Sequence, residues 1–476
     1  MWNCWILGLL FALPLMAIAG ATEPTKHVVC YQGTWSVYRP KEGKFGVEDI
    51  DPFLCTHLVY AFLGIQESGE LRVIDPYLDL EDNGGLGNIK KFNALKLKNP
   101  TLKTLVAVGG WNEGSKRFSI VANDPEKRSR FVEQVVQFIQ RHGFDGLDLD
   151  WEYPGQRHNL NENNDRENYV ALLKELKAGL NPFGYILSAA VGSAEFSASI
   201  SYDIPAISEY LDIINVMAYD LHGPWDESVG INAPLYAGAN DTTQRAQQLN
   251  VDAVITYWID SGAPLEKLIL GVPFYGRTFT LASAEDHLPG AAHIGRGIAG
   301  PYSREPGVLG YNELCELFQR EQWTLGWEAM QQVPFAFRER QWVGYENTNS
   351  LRLKAQYAMD HKLGGIMIWS LESDDFHGSC GGESFPLLRN INRVLFGRDN
   401  PTGLAGEKQQ PAAAAQSGGG VAESSCHDID GYVKDPNNCS KFYYCSGGAT
   451  FMFNCPSGLV FDTNTNSCNY VDLVEC

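Results

Sequence analysis

Positive charge is in short supply in this chain: 37 Lys and Arg stand against 57 Asp and Glu, a net charge of −20. Nucleic acids and anionic membrane surfaces are held through basic patches, so neither is an expected partner. The acidity suits a soluble protein with a neutral or cationic ligand. Residues 1–21, MWNCWILGLLFALPLMAIAGA, hold no charged side chain at all. The run offers small residues at Ala17, Ala19 and Ala21 and is interrupted by Pro14, so it reads as a cleaved secretory signal rather than a membrane span. No second apolar run of membrane length follows. The chain also lacks any C-x2–4-C pair, so zinc is not expected, and no internal repeat of solenoid length is present. No metal or cofactor is called for, and a secreted monomer is the expectation.

What the chain does have is cysteine in a telling distribution. Of 11 cysteines, Cys4 leaves with the signal, which makes the remainder even. Cys30, Cys55, Cys315 and Cys380 lie in the body, and six crowd into residues 426–476. Even counts and a dense cluster suit disulfides in an oxidising, extracellular compartment. Between the two groups, residues 399–425 (DNPTGLAGEKQQPAAAAQSGGGVAESS) carry almost no large apolar side chain and should form a flexible linker. The expected organisation is therefore a signal at 1–21, a body at 22–398, a linker at 399–425 and a small disulfide-rich β module at 426–476.

The body alternates apolar β-rich runs with amphipathic stretches. HVVCY (27–31), THLVYAFLGI (56–65), LKTLVAV (102–108), FDGLDLDWE (144–152), YILSAAV (185–191), LDIINVMAY (211–219), KLILGVPFY (267–275) and GGIMIWSL (364–371) give eight strands. Most are continuous apolar runs, as expected when both faces of a parallel sheet are covered. One intervening helix starts at Asp124 as N-cap with Pro125 at its first position and ends near Gly143; Phe131, Val135, Phe138 and Ile139 share its apolar face. A second, around 250–261, stops at Gly262. Eight such units predict an α/β fold, a (β/α)8 TIM barrel, rather than an open doubly wound sheet. The gap between the seventh and eighth runs is too long for one helix and predicts a small α+β insertion at about 277–345.

The stretch FDGLDLDWEYPG (144–155) carries chemistry. Asp148, Asp150 and Glu152 alternate with Leu147, Leu149 and Trp151, so in a strand the three carboxylates face one way. Neighbouring members would lie about 6.6 Å apart, and two such charges repel by about 2.5 kcal/mol at an effective dielectric of 20. At the C-terminal end of a barrel strand this row faces the active-site mouth, with Glu152 at the rim and Asp148 deepest. Carboxyls stacked there cannot all ionise, so protons are shared and the outermost can remain a general acid near neutral pH. A calcium loop would need a Gly turn where Tyr153 stands.

FDGLDLDWEYPG resembles the D-x-x-D-x-D-x-E signature of glycoside hydrolase family 18, the chitinases. LVAVGGWNEGS, NVMAYDLHGPW, GVPFYGRTF and GGIMIWSLESDD resemble family segments in family order, over roughly residues 27–397. The resemblance implies a secreted endochitinase that acts on chitin and chito-oligosaccharides through the substrate's own N-acetyl group, with retention of configuration. It implies that Glu152 protonates the glycosidic oxygen, Asp150 orients the acetamido group and Asp148 shares a proton with Asp150, while Asp145 is structural. Tyr219 would bond the acetamido group, with Met217 and Asp220 beside it. Trp369 would floor the sugar, Trp111 and Trp225 would wall the cleft, and Tyr31, Tyr275 and Arg277 would complete the binding set. It further implies disulfides Cys30–Cys55 and Cys315–Cys380. The alternative is an inactive chitinase-like lectin; such relatives typically lack the acid found here at Glu152.

The tail, C-x12-C-x5-C-x9-C-x12-C-x7-C, is too small for a self-sufficient core and leaves its pairing open. CSKFYYC and CPSGLVFDTNTNSC resemble the peritrophin-A type chitin-binding domain, which implies Cys426–Cys445, Cys439–Cys476 and Cys455–Cys468. Tyr432, Tyr443, Tyr444, Phe451, Phe453 and Phe461 are available for stacking on sugars or for the small core. Asn240-Asp241-Thr242 reads as a glycosylation site. Gly295-x-Gly297-x-x-Gly300 fits a dinucleotide pattern but follows no strand and runs into Pro301, so it is discounted.

Overall fold

The computed structural model describes residues 26–157 and 164–402 and, in the C-terminal segment, 431–436, 438–446, 449–455, 459–463 and 467–470. The expected signal at 1–21 and residues 403–425 of the expected linker lie outside these. Among the described residues no helix is long and apolar enough to cross a membrane. The chain divides into two compact units, one up to Gly406 and one from Glu407.

In the first unit eight parallel strands close on themselves: His27–Gly33, His57–Ile65, Lys103–Gly109, Gly146–Asp150, Ile186–Gly192, Ile213–Met217, Leu268–Pro273 and Gly365–Trp369. Each pairs with the next, and the first pairs with both the second and the eighth. Side chains alternate between two apolar layers. Val29, Val59, Ala61, Leu105, Ala107, Ile269 and Met367 fill the barrel, and Val28, Cys30, Leu58, Leu147, Leu149 and Trp151 pack outward under the helices. The helix Pro125–His142 shows how locally these elements are written. Asp124 accepts from the backbone N–H groups of Glu126 and Lys127, and Gly143 closes the helix at φ +76°, a conformation glycine adopts without a Cβ penalty. Its Phe131, Val135 and Ile139 are buried.

Four strands end earlier than their apolar runs. The fourth stops at Asp150, whose carbonyl makes the last rung to its neighbour by accepting from the N–H of Gly110 at 2.8 Å, and Trp151 and Glu152 belong to the turn beyond it. Gly109 makes this approach possible: its φ is +124°, and a Cβ there would lie 2.0 Å from the Asp150 carbonyl oxygen. The sixth stops at Met217 and the eighth at Trp369. The seventh stops at Pro273. Phe274 donates to the Trp369 carbonyl at 2.8 Å, and Tyr275 already opens the insertion, slightly before the expected residue 277.

That insertion is an antiparallel sheet of Tyr275–Leu281, His293–Arg296, Val308–Gly310, Thr324–Glu328, Val333–Arg338 and Gln341–Gly344, with the helix Tyr311–Arg320. Val229, Ile231, Phe279, Leu281, Val333, Phe335 and Trp342 form its core. Gly295 lies on the antiparallel strand His293–Arg296, and Gly297 and Gly300 follow it, which is no dinucleotide context. Two disulfides join distant segments, Cys30–Cys55 and Cys315–Cys380. Asn240 is exposed, and its Nδ2 donates to the Pro289 carbonyl at 2.8 Å.

The second unit holds a three-stranded antiparallel sheet, Gly431–Lys434, Lys441–Ser446 and Ala449–Asn454, and a two-stranded one, Leu459–Asp462 and Ser467–Tyr470. Phe461 is buried and stacks on Phe442 with centroids 4.3 Å apart, which places it in the small core rather than on a sugar-facing surface. Cys439 and Cys455 are disulfide-bonded. The side chains of Cys426, Cys445, Cys468 and Cys476, and with them the expected pairings, lie outside the described residues.

Candidate active site

On the fourth strand Asp148 stands level with Ala107 and Ser188, and Asp150 with Gly109. The alternation that sends Leu147, Leu149 and Trp151 into the outer layer turns both carboxylates into the barrel, and Glu152 continues the row at the mouth. Exposure rises along it, from 0% at Asp148 through 3% at Asp150 to 8% at Glu152.

The three carboxyls have different surroundings, which decides what each can do. Asp148 accepts from Tyr31 Oη at 2.8 Å, from Ser188 Oγ at 2.5 Å and from Asn215 Nδ2 at 3.3 Å. Burial pushes its pKa up and these donors pull it back, to about 6. Asp150 has no such cage, and its Oδ1 is buried with no hydrogen-bond partner among the described residues. Burial first, then the charges of Glu152 and Asp148, drive its pKa well above the carboxylate range. Glu152 is raised by burial to about 7, against the opposing pull of Tyr153 and the Arg157 guanidinium, with Asp220 adding to the rise. The three carboxyls are thus all raised above the ordinary carboxylate range, Asp148 moderated by its donors and Asp150 driven up by the charges on either side of it. Asp145 faces elsewhere: its Oδ2 takes Lys96 Nζ and the Thr104 N–H, each at 2.8 Å.

The turn that carries Glu152 is held by side chains from other elements. Trp151 Nε1 donates to Ser115 Oγ, which donates to the Tyr153 carbonyl; Ser201 Oγ donates to that of Pro154; and the Gly155 N–H donates to Asp165. Arg157 donates to the carbonyls of Glu152 and Trp111, and its guanidinium lies 3.5 Å from the Trp111 ring centroid.

Around the row, Tyr219 is buried beyond the sixth strand, its hydroxyl 3.7 Å from Met367 Sδ. Tyr275 lies edge-on to it, with centroids 6.3 Å apart, and donates to Asp220 Oδ1 at 2.7 Å. Arg277 grips the same carboxylate through Nε at 2.7 Å and Nη2 at 2.6 Å, the bidentate geometry that suits a guanidinium. Met217 packs against the same interior cluster. Trp369 is half-buried over Tyr31, with centroids 5.6 Å apart. Trp111 and Trp225 are each 58% exposed, and Trp225 has Arg277 at 5.1 Å from its ring.

Two members of the aromatic surface carry no sequence signal. Phe62 stacks on Trp369 at 5.7 Å and on Trp35 at 6.2 Å, and Trp35 is also 6.2 Å from Trp369. The ends of strands one, two and eight bring these three rings together. Such contiguous aromatic faces stack on the apolar faces of sugar rings, and the carboxylate row beside them supplies acid chemistry. The arrangement is therefore equipped for acid-assisted cleavage of a glycan.

Comparisons with known proteins agree with that geometry. Residues 27–374 match the family model of Glycosyl hydrolases family 18, and residues 426–476 match the Chitin binding Peritrophin-A domain. The chain is 42% identical to Probable chitinase 2 of Drosophila melanogaster, over 82% of this chain and 86% of that one. Among solved structures, the Ostrinia furnacalis Group IV chitinase in complex with allosamidin aligns at a TM-score of 0.76 and 49% identity, covering 78% of this chain and 98% of its own. Human YKL-39, a pseudo-chitinase with retained chitooligosaccharide binding properties, aligns at 0.71 and 35% identity, covering 78% and 99%. With its barrel, its carboxylate row and its C-terminal module all accounted for, the chain belongs to glycosyl hydrolase family 18 and carries a peritrophin-A chitin-binding domain.

Proposed function

We propose that the protein is a secreted, monomeric endochitinase that hydrolyses β-1,4-linked N-acetylglucosamine polymers by substrate-assisted, retaining catalysis. The observation that carries the reading is the carboxylate row, with Asp148 and Asp150 buried inside the barrel and Glu152 above them at its mouth. Glu152 gives its proton to the glycosidic oxygen as the bond to the anomeric carbon breaks. The carbonyl oxygen of the substrate's acetamido group closes on that carbon, so the protein needs no nucleophile of its own. Two polar groups have bonding capacity left for the acetamido group: the unpartnered Oδ1 of Asp150 and the Tyr219 hydroxyl, whose contact is a thioether. Asp150 accepts from the amide N–H, and as it passes its proton down to the Asp148 carboxylate it takes on the negative charge that offsets the positive charge building on the ring. Water then attacks the anomeric carbon, with the Glu152 carboxylate taking its proton. The disulfides and the apolar run at residues 1–21 support export.

The test is release of a fluorophore from a chitobiose or chitotriose conjugate, wild type against Glu152→Gln. Loss of a general acid should lower kcat about 10²–10⁴-fold while chitin binding persists. Full activity in the variant would sink the reading. Folded wild type that binds chitin without turnover would place this chain with the lectin-like relatives.

A further inference from the structure

Asp220 stands in an uncommon backbone conformation, and a buried side chain braces it there. Its φ is +55°, in the left-handed region, which Asp tolerates better than most residues with a Cβ but which is still less populated than ordinary φ. The brace is Asn232, which is buried and whose amide is used at both ends. Asn232 Oδ1 accepts from the Asp220 N–H at 2.9 Å, and Asn232 Nδ2 donates to the Tyr275 carbonyl at 3.1 Å. The Asn232 carbonyl also accepts from the Leu221 N–H at 3.0 Å. One side chain thus joins the segment after the sixth strand to the first strand of the insertion.

Asn232 is itself firmly seated. Val229 and Ile231 before it belong to the insertion core. The carbonyl of Ala233 after it accepts from Lys354 Nζ, a fully buried ammonium paired with Glu346. A buried charge held this way cannot slide without losing its partners.

We propose that Asn232 is a positioning residue for the reaction: by fixing Asp220 in the left-handed conformation it sets where the Asp220 carboxylate, gripped by Tyr275 and Arg277, stands relative to Glu152 and the bound sugar. The proposal rests on the hydrolase reading above. Without the Asn232 amide, the Asp220 N–H loses its acceptor, the backbone relaxes toward ordinary φ, and the carboxylate swings away from its partners.

The readout is the pH profile, because the acid senses its charged neighbours. Glu152 faces Asp150 on its own row, Tyr153 and Arg157 on the following turn, Tyr202 beyond the fifth strand, and Tyr219 and Asp220 beyond the sixth. The negative charge of Asp220 raises the Glu152 pKa, so its displacement lowers it. kcat/KM is measured against pH for wild type, Asn232→Ala, Asp220→Asn and the double variant, with Asn232→Ser as a second replacement should the alanine variant fail to fold. Asn232→Ala should move the basic limb to lower pH, by no more than Asp220→Asn does, and should add no shift in the Asp220→Asn background. Reduced activity with an unmoved limb would overturn the proposal, as would a shift that persists without the Asp220 charge. Wild type without turnover would instead overturn the hydrolase reading on which the proposal stands.

Discussion

Replacing Ser188 by alanine removes one of the three donors around Asp148 and leaves the rest of the row in place. The Ser188 hydroxyl donates to Asp148 Oδ1 at 2.5 Å, beside Tyr31 at 2.8 Å and Asn215 at 3.3 Å. All three bonds favour the carboxylate form, and against burial they settle the pKa at about 6. A hydrogen bond to a charged group contributes about 1.5–3 kcal/mol, and one pKa unit corresponds to about 1.4 kcal/mol. Taking the low end, the Asp148 ionisation moves up by about one unit, to about 7. In the proposed mechanism the working state carries one negative charge below Glu152 and a proton on it, so the acid limb should follow Asp148 and the basic limb Glu152, at about 7. With limbs at 6 and 7 the working state reaches about 60% at its optimum; with both at 7 it reaches about one third. kcat/KM should therefore fall about twofold at the optimum but about eightfold near pH 5.5, with the optimum moved upward. The assay is hydrolysis of a fluorogenic chitotriose conjugate across both limbs at constant ionic strength. An acid limb that stays in place, or moves down, would refute the reasoning that hydrogen bonds to Asp148 set its ionisation.

Two further outcomes follow from other parts of the chain. His57 is buried, and burial first, then the charges of His27 and Lys103, lower its pKa from 6.5 to about 3. The unfolded chain takes up this proton below pH 6.5 and the folded one does not until about 3, so stability present above 6.5 is lost as the pH falls through that window. The loss is at most about 1.4 kcal/mol per pH unit, and His57→Phe should remove that slope from urea-unfolding midpoints; parallel losses in both proteins would exclude His57 as the source. Deleting residues 426–476 should leave hydrolysis of short soluble conjugates within about twofold and lower the rate on solid chitin about tenfold, because a tethered binding module raises local concentration only at a surface. Equal effects on both substrates would show that the deletion disturbs the barrel.

How much of this could be read from the sequence depends on whether the signal is local. The eight strands are local: each is an apolar run long enough to cover both faces, and the caps at Asp124 and Gly143 lie next to the helix they bound. The carboxylate row is local too, because alternation alone assigns Asp148 and Asp150 to one face and Leu147 and Leu149 to the other. Strand ends are less legible, since Glu152 and Tyr219 extend apolar runs but lie beyond the ladders. Least legible are groups defined by cross-strand register. Ser188 meets Asp148 because the fifth strand pairs with the fourth at that level, and Asn215 and Tyr31 arrive from strands six and one. Phe62 and Trp35 sit in unremarkable local sequence, and closure of the barrel makes them one surface with Trp369. Asn232 lies in a loop with no period at all. Its role depends on two contacts, to Asp220 and Tyr275, from segments 12 and 43 residues away. The residues to which the proposed mechanism gives chemistry are therefore marked by type and spacing, whereas their hydrogen-bond partners are marked only by where the closed barrel brings them. A substitution such as Ser188→Ala leaves every motif intact, and only the folded geometry assigns it an effect on the pH profile.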